Sequence, residues 1–508
     1  MPQQNREFEL KLTLAEDECD RLMSDPFLPG VENKRSQTEL RSTYYDTPDH
    51  RLHDEGMTLR VRQDGRGYVQ TVKADTELKG GLSNPIEIES RVDRPEPDLD
   101  RIGDKRIRKR VRQAVKGSAL MPVFETVVTR ITQELRKRGS VMELALDKGE
   151  TRAGGQQRPI CEAELELIKG DPKDMLEAAQ ALFGKRNVLL SPMSKAERGY
   201  RLLLKTGDSE IKPVHAVPPQ VERGQACGQA FAEILRDTQE QVVKNRTVVL
   251  ETEEPEGVHQ LRVGLTRLRT AQRALRPHID SSSLSQLEAD ARELSQTVGR
   301  LRDADVFIED IYAPVAGSCG GKSGFDQLYQ CLRAHRAAKQ EEARKALTSE
   351  TWSRLLLSLT LWPPILLRDP ALKEPVEDCA QKALQKRWKK VAKCGRSLGS
   401  LDPAERHKMR RSLKKLRYTV ELFAPLYAKK DVKGFVKQLK ALQDIFGYVN
   451  DVRTAEQLRD ICAKEGDGPE AFEAVGYVLG YHCVKAAEVW DGVFDGWRQL
   501  KSTPRFWQ

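Results

Sequence analysis

The sequence has no apolar run long enough to cross a bilayer: the longest, Leu355 to Leu367, is 13 residues and contains Pro363 and Pro364. Spanning takes about 20 apolar residues, so this run reads as a buried helix end. The opening residues MPQQNREFELKL turn polar at once, so no secretory leader is expected. Nine cysteines are scattered singly, with no CxxC pair and an odd total. That pattern suits reduced thiols better than a disulfide framework or a zinc site, and the expected location is the cytoplasm. Aromatic residues are only 6% and none alternate with the basic stretches, which disfavours nucleic acid as a partner. No GxxxxGK[ST] loop is present, and His50 and His53 fall in an expected solvated turn, so neither a P-loop nor a histidine-based triad is indicated.

What is present is charge. Of 508 residues 32% are charged and 39% hydrophobic, with a net charge of +9. The length predicts two or three domains, and the positive balance predicts an anionic partner. The two halves obey different patterns. Residues 1–205 alternate with period two, as in EFELKL (7–12), MTLRVRQ (57–63), YVQTVK (68–73), IEIES (86–90), VMELALD (141–147) and CEAELELI (161–168). Turn formers such as Asp64-Gly65 and Lys79-Gly80-Gly81 separate them, and short helices are expected at 14–24, 98–119 and 172–184. A proline-rich linker at 206–222 then leads into 223–508, where Leu, Ala, Arg, Lys, Glu and Gln recur at helical spacing.

The alternate residues of the strands are charged rather than merely polar: Glu7, Glu9 and Lys11; Arg60 and Arg62; Glu87 and Glu89; Glu162, Glu164 and Glu166. Residues two apart on a strand share a face. One charged face is ordinary solvated surface, but six such strands with both signs suggest an enclosed, charge-lined interior. Carboxylates crowded on an enclosed face need a cation, and hard divalent ions take oxygen ligands. The segment RIGDKRIRKRVRQAVK (101–116), with eight bases against one acid, reads as a solvated helix face.

Glu7-x-Glu9-x-Lys11 resembles the ExExK signature of the CYTH superfamily, the triphosphate tunnel metalloenzymes. The ordered series of motifs C-terminal to it is more specific: Tyr44-Tyr45-Asp46-Thr47-Pro48, Leu59-Arg60-Val61-Arg62, Gln70-Thr71-Val72-Lys73, Glu87-x-Glu89, Pro122 to Thr126 with Arg130, Glu143 to Gly149, Glu164-Leu165-Glu166 and Ser194 to Tyr200. The resemblance covers residues 5–203 and implies an eight-stranded antiparallel β tunnel with flanking helices. It further implies Mg²⁺ or Mn²⁺ held by Glu7, Glu9, Asp147, Glu164 and Glu166. Lys11, Arg60, Arg62, Lys73, Arg130 and Lys195 would grip phosphates, with Lys11, Glu7, Glu9, Glu164 and Glu166 as the catalytic set. One departure stands out: Ser83-Asn84-Pro85-Ile86 occupies a stretch where relatives often carry arginine, which puts one phosphate contact in doubt.

The second half is duplicated. VHQLRVGLTRLRTAQ (258–272) aligns with RHKMRRSLKKLRYTVE (406–421), so His259 and His407 each have Arg at +3 (Arg262, Arg410), a base at +8 (Arg267, Lys415) and Arg at +10 (Arg269, Arg417). The second copy adds Lys414. Glycine and aspartate recur downstream as Gly299 and Asp303, then Gly447 and Asp451; a second histidine recurs as His335 and His482. Offsets of 0, +3, +7 and +10 form one helical stripe. Two matched stripes point to an anion groove formed by His259, Arg262, Arg269, His407, Arg410, Lys414 and Arg417. These histidines have no metal-ligand spacing, so anion contact is preferred to zinc. This half resembles the CHAD family, which implies two four-helix bundles (about 223–370 and 371–508) and inorganic polyphosphate as partner.

The expected fold class is therefore α+β with two domains, a β tunnel and then duplicated helical bundles. The resemblance implies metal-dependent hydrolysis of inorganic triphosphate (tripolyphosphate) in the tunnel, with polyphosphate bound by the helices and association with polyphosphate granules. Thiamine-triphosphatase, nucleoside-triphosphatase or class IV adenylate cyclase activity is the alternative, and a mainly polyphosphate-binding protein the second. The oligomeric state is not legible.

Overall fold

The computed structural model describes residues 8–24, 35–63, 67–74, 82–83, 86–191, 193–205, 211–279, 282–318, 323–465 and 469–508. Glu7, the turns at 64–65 and 79–81, and Asn84-Pro85 of the departing stretch lie outside them. The chain divides into two units, Met1–Glu210 with Leu356–Leu361, and Ile211–Leu355 with Trp362–Gln508.

The first unit has ten strands: β1 (Glu9–Leu14), β2 (Arg35–Asp46), β3 (Met57–Gln63), β4 (Tyr68–Ala74), β5 (Leu82–Ser83), β6 (Ile86–Val92), β7 (Met121–Lys137), β8 (Ser140–Ala153), β9 (Gln156–Lys169) and β10 (Val188–Leu190). Its helices are α1 (Glu16–Ser24), α2 (Arg51–Asp54), α3 (Lys105–Val115), α4 (Pro172–Phe183) and α5 (Lys195–Leu204). The antiparallel ladder runs β10-β1-β9-β8-β7-β2-β3-β4-β6, and β5 pairs β1. Because β5 precedes β6 by two residues, its pairing of Leu82 with Leu10 returns the last strand to β1. Eight strands thus close a ring, and every ladder pair within it is antiparallel.

The ring is inside-out by the alternation rule. Leu10, Leu12 and Leu14 of β1 are buried on one face while Glu9, Lys11 and Thr13 occupy the other. The apolar faces lie outward under helices: Leu59, Val61 and Val72 pack with Ile107, Val111 and Val115 of α3. The basic residues of α3 are largely exposed, and Asp104 caps it through the amides of Arg106 and Ile107. The expected solvated basic face is what forms there.

The motif Tyr44 to Pro48 serves the architecture. Asp46, fully buried, accepts from the amides of Thr47 (2.7 Å), Leu52 (2.9 Å) and His53 (3.1 Å) and from Tyr200 Oη (2.6 Å). It thereby ties α2 and α5 to the end of β2. Gly199 belongs to the same joint, since a Cβ there would meet the Phe124 ring at 2.2 Å. His53 is not a solvated turn residue as expected: it stacks on Tyr200 with centroids 4.1 Å apart and bonds Glu197 through Nε2 at 3.0 Å. Asp46→Ala strands several buried donors at about 1–3 kcal/mol each, so a loss of at least about 3 kcal/mol is expected. Faster amide exchange at Leu52 and His53 in the variant checks it.

The second unit is helical: α6 (Cys227–Glu251), α7 (Pro255–Leu275), α8 (Ser282–Val306), α9 (Ala313–Ala316), α10 (Ser323–Leu347), α11 (Glu350–Arg368), α12 (Val376–Gly395), α13 (Pro403–Phe423), α14 (Lys429–Thr454), α15 (Leu458–Glu465), α16 (Pro469–Asp491) and α17 (Val493–Ser502). Helices α6, α7, α8 and α10 pack in a closed cycle, and α12, α13, α14 and α17 repeat the first three with a different fourth partner. The cores include Trp388, Phe435 and Leu439 in the second bundle, and Leu328, Cys331, Val475 and Val478 where α10 meets α16. The run Leu355 to Leu367 forms the largely buried C-terminal part of α11, which continues through both prolines and ends at Arg368. Among the described residues no helix is long and apolar enough to cross a membrane. The irregular segment from 211 onward is held by this unit: Asn245 bonds both N and O of Val214, and Arg267 Nη2 donates to Val217 O at 2.8 Å.

Candidate functional site

The register of β1, β9 and β8 sets charges in rows across the inner face of the ring. Glu9, Glu166 and Glu143 are direct cross-strand partners. The next row holds Lys11, Glu164 and Ala145, and the third Thr13, Glu162, Asp147 and, on β7, Arg130. On the opposing strands Arg60 faces Tyr44 and Thr71, while Lys73 faces Glu87. Most of these groups, though not Thr13, Thr71, Asp147 or Glu162, line a cavity of about 620 Å³ that also includes Arg62, Glu89 and, from the start of α5, Lys195.

Glu164 is the hub. Its carboxylate receives Lys11 at 3.3 Å, Lys195 at 2.7 Å and Arg130 at 2.7 Å. Burial opposes its charge, but Lys11, Lys195 and Arg130 outweigh that and hold it well below the usual carboxylate range. Asp147, with no exposed side-chain surface, takes a two-pronged contact from Arg130 (2.7 and 2.6 Å) and a third from Lys195 at 2.8 Å. Lys195 also meets Glu162 at 2.7 Å, and Arg198 bonds that carboxylate too.

The glutamate row behaves oppositely. Burial, then Glu9, Glu143 and Glu87, push Glu166 up to about 7. Burial and Glu164 likewise raise Glu9, against Lys11. Lys11 Nζ lies 3.1 Å from Glu9 Oε2. Glu9, Glu166 and Glu143 stand side by side as oxygen donors of the kind a hard divalent cation takes. Asp147 and Glu164, expected from sequence among the metal ligands, are here paired with lysine and arginine.

Opposite, Arg60 lies 3.5 Å from Glu87, Lys73 pairs the same carboxylate, and Arg62 reaches Glu89 at 3.3 Å. Arg60 Nε and Arg62 Nε are buried donors without a hydrogen-bond partner. Burial and Arg60 together depress the Arg62 guanidinium, against the pull of Glu89 and Glu87. Of the residues expected from sequence, Glu9, Lys11, Arg60, Arg62, Lys73, Arg130, Glu164, Glu166 and Lys195 line the cavity, and Asp147 sits behind Arg130 and Lys195. The sequence reading put Glu87 and Glu89 on the charged face without a ligand role and gave none to Glu143 or Tyr44; all four line it too. Strand parity could have found Glu143, which shares a face with Asp147.

In the helical unit the duplicated stripes converge, because α7 packs on α13. Arg262 faces Arg410 and Lys414 across that contact, and His259 faces Arg417. The repeated aspartates explain themselves: Asp303 pairs Arg262 at 3.2 Å and Asp451 pairs Arg410 at 2.9 Å. Glu421 holds Arg417 at 3.2 Å. Lys414 has no ion-pair partner among the described residues, and burial, Arg410 and Arg262 lower it to about 7. Arg410 Nε is also buried and has no hydrogen-bond partner.

Two stripe residues, Arg269 and His407, and the +8 base Arg267 sit elsewhere. Arg267 is buried and spent on Gln241 and Val217. Arg269 lies against Ser295, beside Arg273 and Arg292. His407 bonds Asn450 at 2.8 Å and lines a different cavity of about 590 Å³. Burial, Arg302 and Arg262 lower His259, so it gains charge only at more acidic pH than a free imidazole. His482 is buried between Tyr448 and the Ile311 carbonyl, a structural role.

Residues 5–200 match the family model of the CYTH domain, and residues 233–460 match that of the CHAD domain. An inorganic triphosphatase from Haemophilus influenzae is 32% identical over 169 residues, which are 32% of this chain and 46% of that protein. The chain thus spans a little under half the length of that curated relative. The crystal structure of the CHAD domain from the plant Ricinus communis matches at 28% identity and a TM-score of 0.51, over 58% of this chain and 99% of that one. A Hippeastrum structure, titled as an adenylyl cyclase with a dominant triphosphatase activity, matches at 21% identity and a TM-score of 0.29, over 39% of this chain and 96% of that one.

Proposed function

The chain belongs to the CYTH family in its first unit and to the CHAD family in its second, and we propose that it hydrolyses inorganic triphosphate in the tunnel with a divalent metal. The observation that carries the reading is the two-walled interior. One wall offers the Glu9–Glu166–Glu143 row, the other the unpartnered Nε donors of Arg60 and Arg62. Guanidinium groups suit phosphate oxygens because they donate two parallel hydrogen bonds, while Lys11, Lys73 and Lys195 act as point charges. Arg130 is locked by Asp147 and Glu164, so it holds its position without reorganising when the phosphoryl group gains charge. A divalent ion on Glu9, Glu166 and Glu143, with Glu7 adjacent in sequence, would neutralise phosphate oxygens and activate a water. Mg²⁺ and Mn²⁺ both suit an all-carboxylate set.

The substrate reading rests on what lines the cavity. Tyr44 is the one aromatic among the described lining residues, and it is stacked on Phe124 at 4.4 Å. That leaves no platform for a nucleobase or thiazole ring and favours a bare triphosphate. The full chain is tested against tripolyphosphate, ATP, thiamine triphosphate and pyrophosphate with Mg²⁺ or Mn²⁺. Tripolyphosphate is expected to be turned over fastest, and EDTA to abolish release. Full activity in excess EDTA would sink the metal reading, and faster ATP turnover would favour a nucleotide enzyme.

For the helical unit the reading is polyphosphate binding along the facing stripes of α7 and α13. Lys414 gives it a pH signature. Its ammonium faces Arg410 and Arg417 on its own helix, Arg262 on α7 and Asp451 on α14. The cations press it toward neutrality, and a polyanion demands the charged form. Affinity is therefore expected to fall as pH rises through about 7, with proton uptake on binding. Lys414→Met flattens that dependence, whereas the neighbouring Lys415, lowered to about 8 by burial, Arg273 and Arg387, titrates later. Polyphosphate titrations at pH 6 and pH 8 decide it, and an unchanged slope in the variant would reassign the effect.

A further inference from the structure

The helical unit contains a second cluster of ligand-type side chains that neither stripe uses. The chain entering α6 and the chain entering α12 run past each other as an antiparallel bridge, Ala226 opposite Pro375. Cys227 N donates to Glu374 O at 2.8 Å and Val376 N to Gln225 O at 2.9 Å. The spacing of these positions matches, to within a residue, that of His259 and His407, so the bridge joins equivalent points of the two repeats. Beside it Cys227 Sγ and Cys379 Sγ, both buried, stand 2.6 Å apart. His278 Nδ1, just past the end of α7, lies 4.0 Å from Cys379 Sγ. His278, Cys379 and Glu374 bring their ligand atoms within 4.8 Å of one another.

We propose that Cys227, Cys379, His278 and Glu374 form a binding site for a soft divalent metal, Zn²⁺ by chemical class, that clasps the two helical repeats together. Two thiols, one imidazole and one carboxylate are a donor set for tetrahedral zinc. Zinc–sulfur bonds of about 2.3 Å place the two sulfurs about 3.7 Å apart. The thiols therefore move apart on binding, while the imidazole closes in slightly. Each thiol loses its proton to solvent as its metal–sulfur bond forms, so two protons are released per ion. Lys382, 3.7 Å from Glu374, is the cation that a metal would replace at that carboxylate. The clasp draws Cys227 and His278 from the first repeat and Glu374 and Cys379 from the second. It is independent of the tunnel, whose oxygen ligands select hard ions. Sequence spacing hid it, because Cys227 and His278 lie tens of residues from each other and from Glu374 and Cys379, and the four meet only where the repeats do.

The test uses the full chain, fully reduced, stripped with a chelator, and titrated with Co²⁺ in saturating Mg²⁺ to fill the oxygen site. One equivalent is expected to raise a thiolate-to-cobalt charge-transfer band in the near ultraviolet, which Zn²⁺ then removes. Cys227→Ser and Cys379→Ser lose the band and weaken Zn²⁺ by at least about 100-fold, beyond the 10–100-fold typical of outer-shell losses. Cys483→Ser, at an exposed thiol, keeps it. Should a serine variant fail to fold, alkylation of the wild type decides: Zn²⁺ is expected to protect Cys227 and Cys379 but not Cys483. Absence of the band in reduced protein, or its survival in Cys379→Ser, overturns the proposal. So does isolation of a chain two hydrogen masses lighter, with Cys227 and Cys379 joined and no metal taken up, which assigns the pair to a disulfide.

Discussion

Glu164→Gln is expected to lower phosphate release from tripolyphosphate by about 100-fold or more, comparable to removing an electrostatic contact to a transition state. The substitution preserves shape and removes one negative charge from the point where Lys11, Lys195 and Arg130 meet. Glutamine accepts through one oxygen only, so at least one cation loses its anchor and swings toward Asp147, Glu162 or Glu9. The loss can be one of aim or of a metal ligand, and the kinetics separate the two. If Glu164 acts through its cations, kcat falls while the concentration of Mg²⁺ giving half activity changes little. Glu166→Gln, in the glutamate row, is expected to raise that concentration as well. A Glu164→Gln enzyme within about threefold of wild type would mean that the lysines and Arg130 hold position unaided. Circular dichroism on both variants guards against plain unfolding.

Reversing charge at Arg262, Arg269, Arg410 and Arg417 together is expected to abolish polyphosphate binding by the full chain. Each phosphate-contacting cation contributes close to one unit to the slope of log K against log salt, so the wild type binds with a steep slope and each single reversal removes about one unit. The structure ranks the four. Arg262, Arg410 and Arg417 surround Lys414, whereas Arg269 sits with Arg273 and Arg292 beside Ser295. Arg410→Glu should therefore weaken binding more than Arg269→Glu. Arg262 and Arg410 are already paired to Asp303 and Asp451, so removing either aspartate is expected to tighten binding by freeing its arginine. Tripolyphosphate hydrolysis by the quadruple variant should stay near wild type, since all four residues belong to the helical unit. Retained polyphosphate binding in that variant would move the site to another face, and equal competition by duplex DNA would make it a general polyanion surface.

The strands were readable because period-two alternation with charge on the inward parity leaves a ring closed around its charges as a way to bury the other parity. The duplicated helices were readable because His259, Arg262 and Asp303 recur as His407, Arg410 and Asp451 at one fixed spacing. What those spacings could not convey is which opposite charges would meet. Arg262 and Asp303 look like two separate signals in one dimension and become one ion pair when α7 lies on α8. His53 looked like a turn residue because nothing local marks Glu197 and Tyr200, more than a hundred positions away, as its neighbours.

By itself, then, the sequence determined two units of different secondary structure, the charged inner face of the first and the repeat within the second, since alternation, helical periodicity and duplication are local properties. The tertiary structure alone decided how the charges divide their work. Glu9, Glu166 and Glu143 form the under-compensated row and Asp147 and Glu164 the saturated one because strand register, which pairs residues from three strands, sets which carboxylates stand beside lysine and arginine and which stand beside one another. It alone also brought His278 and Glu374 to Cys379, and Cys379 to Cys227, because only the packing of one repeat on the other closes those distances.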